Sequence, residues 1–183
     1  MKPAKQKNAF SSPWSWSVQF KLMVWRITWL ITCSWTPKFF NPWRLCVLKI
    51  FGAGILGNPF VHGTVRIQIP WHIKLHDRAC LGDRVCAYSL GIIEVQESAT
   101  VAQEVYLCTG THDFESSTMQ LITDSITIGK NAFVGVRAMI LPGVKIDENA
   151  VIGANAVVTK NVSNNEIFAG NPARKIGIRK KLS

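Results

Sequence analysis

Four histidines and five cysteines are the side chains of this 183-residue sequence with the widest chemical options. An imidazole titrates near neutrality, so it can accept a proton from a hydroxyl and return it to a leaving group. His112, in the segment THDFESS, alone falls in a break of the repeat described below. That position makes it the candidate general base, with an ordinary loop histidine as the plain alternative. Asp113 beside it could orient the imidazole or bind a hydroxyl, although adjacent loop acids are usually solvated. His72, His76 and His112 would suggest zinc, but their spacing does not suit three converging imidazoles, and no metal is expected. The cysteines form no CxxC pair, and an odd count argues against a disulfide framework. They read as buried reduced thiols of a cytoplasmic protein. Gly52, Gly54 and Gly57 match GxGxxG, with Asp77 twenty residues on. Asn58-Pro59 leaves no helix to receive a pyrophosphate there, so the segment reads as a passage into the repeat.

What must position these residues is a period of six. From Ile128 the chain reads IGKNAF, VGVRAM, ILPGVK, IDENAV, IGANAV, VTKNVS. The first places are Ile128, Val134, Ile140, Ile146, Ile152 and Val158; the fifth are Ala132, Ala138, Val144, Ala150, Ala156 and Val162. Neither helical periodicity nor strand alternation produces this; a short fixed repeat means a solenoid. The aliphatic residue points inward from a short flat strand, and the small one fits where the chain turns. Three strands make a triangular coil of 18 residues, and successive coils pair as parallel strands about 4.8 Å apart. Upstream the register runs through Leu75, Leu81 and Ala87, slips by two near residues 90–93, and resumes at Val95, Val101 and Leu107. The expectation is about five coils over residues 61–163, with the loop 109–125 projecting.

Charge divides the chain sharply. Residues 1–76 hold ten Lys/Arg and no Asp or Glu, whereas residues 77–183 hold eleven of each sign. Six of seven tryptophans lie between Trp14 and Trp43. No RNA-binding motif is present, so nucleic acid is excluded as a partner. Residues 18–35 are largely apolar, but Lys21 and Arg26 leave a clean run too short to span a bilayer. Residues 1–60 therefore read as a basic, Trp-rich helical segment. Its helices either lie on an anionic membrane surface through residues 14–51 or cap the open first coil, burying Trp25, Trp29 and Leu30 near residues 61–69. Residues 164–183 read as a turn and basic tail.

The hexads, the Trp-rich N-terminal stretch, YSLG at residues 88–91, LCTGTHDF at 107–114 and AGNPARKI at 169–176 resemble the hexapeptide-repeat acyltransferases. Within them the chain is similar to the colanic acid and exopolysaccharide O-acetyltransferases. The resemblance implies an all-β solenoid in the form of a left-handed parallel β-helix, assembled as a homotrimer. It implies acetyl-CoA as donor and a hydroxyl of a saccharide as acceptor; an acceptor carried by a lipid at the cytoplasmic membrane face would explain the N-terminal segment. His112 matches the family's catalytic histidine. Val136 and Ala154 match main-chain contacts to the pantetheine arm, and Thr159, Lys160 and Arg174 match residues near the nucleotide. Lys175, Arg179, Lys180 and Lys181 could add to that phosphate field. Tyr88 and Ser89 join Asp113 as candidates for the acceptor site, where the segment CAYSLGII departs from the galactoside enzymes. N-acetylation of an amino sugar or nucleotide sugar, and a non-catalytic scaffold, remain alternatives.

Overall fold

The computed structural model describes residues 2–3 and 14–180; Lys181 lies outside them. The hexads form a parallel β-solenoid with three faces. Face 1 stacks Gly54–Ile55, Ile73–Leu75, Ile93–Val95, Ile126–Ile128 and Lys145–Ile146. Face 2 stacks Phe60–Val61, Cys80–Leu81, Thr100–Val101, Phe133–Val134, Val151–Ile152 and Glu166–Gly170. Face 3 stacks Arg66–Ile67, Cys86–Tyr88, Tyr106–Cys108, Met139–Ile140 and Val157–Val158. These make five complete coils. A sixth consists of a bridge from Ile146 to Val162 and the last face 2 strand, so the solenoid is slightly longer than expected.

The inward aliphatics of the six hexads are all fully buried, as are Leu81, Ala87, Val101 and Leu107 upstream. The small fifth residues Ala132, Ala138, Ala150 and Ala156 are buried too, because at a corner two chain directions converge and leave no room for bulk. The corners between faces 2 and 3 place Arg84, Glu104, Arg137 and Asn155 in the left-handed region, with φ between 54° and 59°. Glu104 bridges Arg84 and Arg137, one coil on either side.

Every departure from six falls at one corner, between face 3 and face 1. Coil 1 makes a short turn there at Pro70–His72, and coil 2 passes through Ser89 and Gly91. In coil 3 the chain leaves the solenoid altogether and returns as an antiparallel hairpin, Gly110–His112 against Leu121–Thr123. Side chains stitch these irregular corners together. Ser89 Oγ both donates to Ile69 O and accepts from Ile69 N, at 2.9 Å each. Thr109 Oγ1 donates to Tyr88 O and accepts from Gly91 N. Gly91 passes so close to Asp124 that an added Cβ would sit 2.6 Å from its carbonyl oxygen.

Two helices precede the solenoid. Ser15 caps α1 (Trp16–Thr32), whose Leu22, Trp25 and Trp29 are buried. Trp25 donates from Nε1 to Ile67 O at 2.9 Å, fixing α1 along face 3 of the first coils. Helix α2 (Asn41–Ile50) buries Arg44, Leu45, Val47 and Leu48 and covers the open end of coil 1. Arg44 is fully buried and donates to the carbonyls of Val61, Thr36, Pro37 and Lys38 and to Thr36 Oγ1. A guanidinium suits this place because its rigid fork can satisfy several carbonyls of a turning linker at once.

Several boundaries differ from the sequence reading. Coil 1 begins at Gly54, within the GxGxxG match, rather than near residue 61. Leu30 is 66% exposed, because α1 turns it away from the coil that buries Trp25 and Trp29. The C-terminal segment is a hairpin, Glu166–Gly170 against Ala173–Ile178. All five cysteines are free, but only Cys33 is fully buried and Cys46 is exposed. No helix among the described residues is long and apolar enough to cross a membrane.

Candidate functional site

His112 sits on the first strand of the coil 3 hairpin, paired with Leu121 and exposed. Its Nδ1 lies 2.6 Å from Met119 O. A carbonyl only accepts, so Nδ1 carries the hydrogen and the neutral ring presents the lone pair at Nε2. The hairpin tip supplies this partner: Asp113 N donates to Gln120 O, which folds Met119 back toward the imidazole. An exposed base of fixed tautomer is what proton abstraction requires.

The three weaker candidates separate. Asp113 Oδ1 accepts from Glu115 N, closing a local turn, and the imidazole is oriented by Met119 instead. Ser89 is buried with its hydroxyl engaged by Ile69 on both sides, so it holds the corner rather than facing an acceptor. Tyr88 lies between the hairpin and a cavity. Its ring lies against Gly110, two residues before His112, and it lines a cavity on the other side.

That cavity, about 450 Å³, lies between α1 and face 3 of coils 1 and 2. Trp25, Trp29, Leu30 and Ile67 form its apolar walls; Arg26, Arg66, Gln68 and Tyr88 bring polar groups. Trp29 Nε1 is buried with no hydrogen-bond partner among the described residues. A second recess, lined by Arg66, Arg84, Cys86, Glu104 and Tyr106, continues along face 3. Burial raises both tyrosines here, Tyr106 to about 12, helped by the neighbouring Cys86 and Cys108 thiols. Both phenols therefore stay protonated donors at neutral pH. Arg66 and Gln68 escaped the sequence reading because coil 1 lacks clean hexads. Arg26 was visible only as a charge interrupting an apolar helix.

The residues matched to the donor lie farther along, at the two edges of face 3 and on the C-terminal hairpin. Val136 and Ala154 are exposed and occupy the same face 2–face 3 corner of successive coils, where Asn155 N donates to Val136 O at 2.9 Å. Thr159 and Lys160 follow the face 3 strand of coil 5 and are exposed. Arg174 lies on the C-terminal hairpin opposite Ala169, which packs against Gly153 beside Ala154, and its Nη1 donates to Ala173 O. Lys175 pairs with Glu166, and Arg179 donates to Asn131 O, so neither is a loose tail cation. Face 3 and its two corners thus carry the cavity at coils 1–2, the histidine hairpin at coil 3 and the exposed corner at coils 4–5. The remaining histidines are engaged elsewhere: His62 with Thr64, His72 with Ser89 O and His76 with Glu94.

Residues 125–160, the regular hexads of the solenoid, match the family model for bacterial transferase hexapeptide (six repeats). The chain is 34% identical over 153 residues to WcaF of Escherichia coli (strain K12), covering 84% of each protein, and it belongs to the hexapeptide-repeat acetyltransferase family. The name of WcaF assigns it an acetyltransferase step in colanic acid biosynthesis. The protein CapG of Staphylococcus aureus is 67% identical over a shorter stretch of 51 residues, 28% of this chain and 30% of that one. Among solved structures, a hexapeptide-repeat acetyltransferase of Vibrio cholerae O1 biovar eltor, complexed with acetyl coenzyme A, shares the fold. Its TM-score is 0.82 at 18% identity, covering 93% of each chain. A galactoside acetyltransferase in complex with coenzyme A gives 0.81 at 22% identity, over 92% of this chain and 86% of that one.

Proposed function

We propose that this acetyltransferase moves the acetyl group of acetyl-CoA to a hydroxyl of a saccharide in the synthesis of a surface polysaccharide. The observation that carries the reading is the His112 imidazole, held by Met119 O with Nε2 open on a hairpin beside the cavity-lining Tyr88. The acceptor hydroxyl loses its proton to Nε2 as its oxygen bonds to the thioester carbon. The tetrahedral oxyanion then collapses, the carbon–sulfur bond breaks, and the imidazolium protonates the departing thiolate. Protonation at Nε2 leaves the Nδ1–H bond to Met119 O intact, so the ring can cycle without turning.

On this reading the exposed steps at Val136 and Ala154 run beside the pantetheine arm, with Thr159, Lys160 and Arg174 toward the nucleotide. Cations suit its phosphates. The saccharide occupies the cavity between α1 and face 3, where indole walls suit a sugar's apolar face and Arg26, Gln68 and Tyr88 suit its hydroxyls. The reading also makes the enzyme a cytoplasmic homotrimer at the inner face of the membrane, acting on an acceptor carried by a lipid.

The test is thiol release from acetyl-CoA, corrected for hydrolysis, across a panel of methyl and p-nitrophenyl glycosides and amino sugars, with products identified by mass. A base-labile acetyl ester on a glycoside is expected. A base-stable amide formed only on amino sugars would replace hydroxyl transfer by amine transfer. Absence of acceptor-stimulated thiol release across the panel and on lipid-linked oligosaccharide would leave the scaffold alternative standing.

A further inference from the structure

Helix α1 is apolar on two opposite faces. The side carrying Leu22, Trp25 and Trp29 is buried against the solenoid. At 100° per residue, every position in an arc of roughly 120° on the far side is also apolar. Trp16, Phe20, Met23, Ile27, Leu30 and Ile31 lie there, each at least half exposed. A helix at a protein surface normally turns one apolar face to the core and a polar face to water. Here nothing among the described residues covers the second face, and the patch exceeds scattered surface hydrophobes because Trp35 and Trp43 extend it beyond the helix end. Trp43 is tied to that end through Nε1 to Thr32 O.

The charges around the patch are of one sign. Lys21 and Arg26 lie beyond the two edges of the arc, Lys21 with its Nζ 4.2 Å from the Trp71 ring and Arg26 at the cavity, and Lys38 and Lys49 are exposed on the following segments. No carboxylate occurs before Asp77. A second copy docking this face to itself would set cation against cation. An anionic bilayer instead offers acyl chains to the arc, phosphates to its basic flanks, and a headgroup layer that accommodates exposed indoles.

We infer that the outward face of α1 is a docking surface for an anionic lipid bilayer, with the helix lying in the plane of the headgroups. This rests on the membrane reading above and adds which face of α1 meets the lipid. The geometry then has a consequence for the site. The cavity is walled by the opposite side of the same helix, with Leu30 shared between patch and cavity, so docking holds the cavity within one helix diameter, about 10 Å, of the headgroups.

The experiment is flotation of the full chain with vesicles of phosphatidylcholine alone and with 30% phosphatidylglycerol (roughly one anionic lipid in three, enough to set a negative surface potential), at low and high salt. Phe20→Ser/Ile31→Ser changes two exposed residues outside the cavity and should preserve helicity and acetyl-CoA thiol release on a soluble glycoside. Expected is partition of the wild type onto the anionic vesicles, weakened by salt, and a drop of about tenfold or more in the double variant. If the wild type does not float, the membrane reading fails and this inference with it. If wild type and variant float equally, the membrane reading stands but this face is not the docking surface. Should the variant instead lower the oligomeric state of a protein that ignores vesicles, the face belongs to a second copy.

Discussion

His112→Asn separates the two things the imidazole does. Asparagine's side-chain amide can still donate to Met119 O, as Nδ1 does now at 2.6 Å, but it offers no basic lone pair at the Nε2 position. The bond to Met119 is worth about 0.5–1.5 kcal/mol net, and His112 is exposed, so neither the hairpin nor the melting temperature should change appreciably. Loss of a general base, by contrast, lowers turnover by roughly 10²–10⁴, equivalent to about 2.7–5.5 kcal/mol on the barrier. The assay is acceptor-dependent thiol release at saturating acetyl-CoA, with coenzyme A affinity measured by calorimetry on the same preparation. His112→Asn and His112→Ala should fall together in kcat while both keep wild-type coenzyme A affinity. If His112→Asn retains turnover within about threefold of wild type while His112→Ala does not, the imidazole only braces the hairpin and the proton-transfer argument is refuted.

Arg174→Ala should raise the KM for acetyl-CoA much more than it lowers kcat, because a phosphate contact persists unchanged from ground state to transition state; unchanged coenzyme A binding by calorimetry removes Arg174 from the donor site. Arg44→Met should destabilise the chain by about 2–4 kcal/mol, seen as a lowered denaturation midpoint, since four backbone carbonyls lose their shared buried donor. A midpoint within error of wild type would show that water replaces the guanidinium freely. The two tyrosines, both on face 3, make an alkaline prediction. Burial raises Tyr106 to about 12 and raises Tyr88 as well, whereas unfolded phenols titrate near 10. The native chain keeps these protons where the unfolded chain has lost them, so stability present below about pH 10 declines as pH rises toward 12. Phenolate absorbance at half its final value near pH 10 in the folded protein would contradict that burial.

The sequence alone was sufficient for the solenoid, because its constraint is local and repeats. An aliphatic residue every six places has only one arrangement that buries all copies, and six consecutive hexads leave the register no freedom. The same regularity exposed His112, since a residue outside a strict repeat is visible as an interruption. What the sequence could not decide depends on contacts distant along the chain. Ser89 looked like a candidate because CAYSLGII departs from the galactoside enzymes at the acceptor site; only the fold showed its hydroxyl closed between both polar groups of Ile69, twenty residues away. Asp113 is adjacent to His112 in sequence, yet the carbonyl that sets the tautomer comes from Met119 across the hairpin. The cavity needed tertiary structure most of all, since Arg26 and Tyr88 meet there through the packing of Trp25 on Ile67. The two faces of α1 show the same division: its sequence is largely apolar, and hydrophobicity by itself has no direction. Only the docking of Trp25 and Trp29 on the solenoid decided which apolar face is core and which is left for a partner.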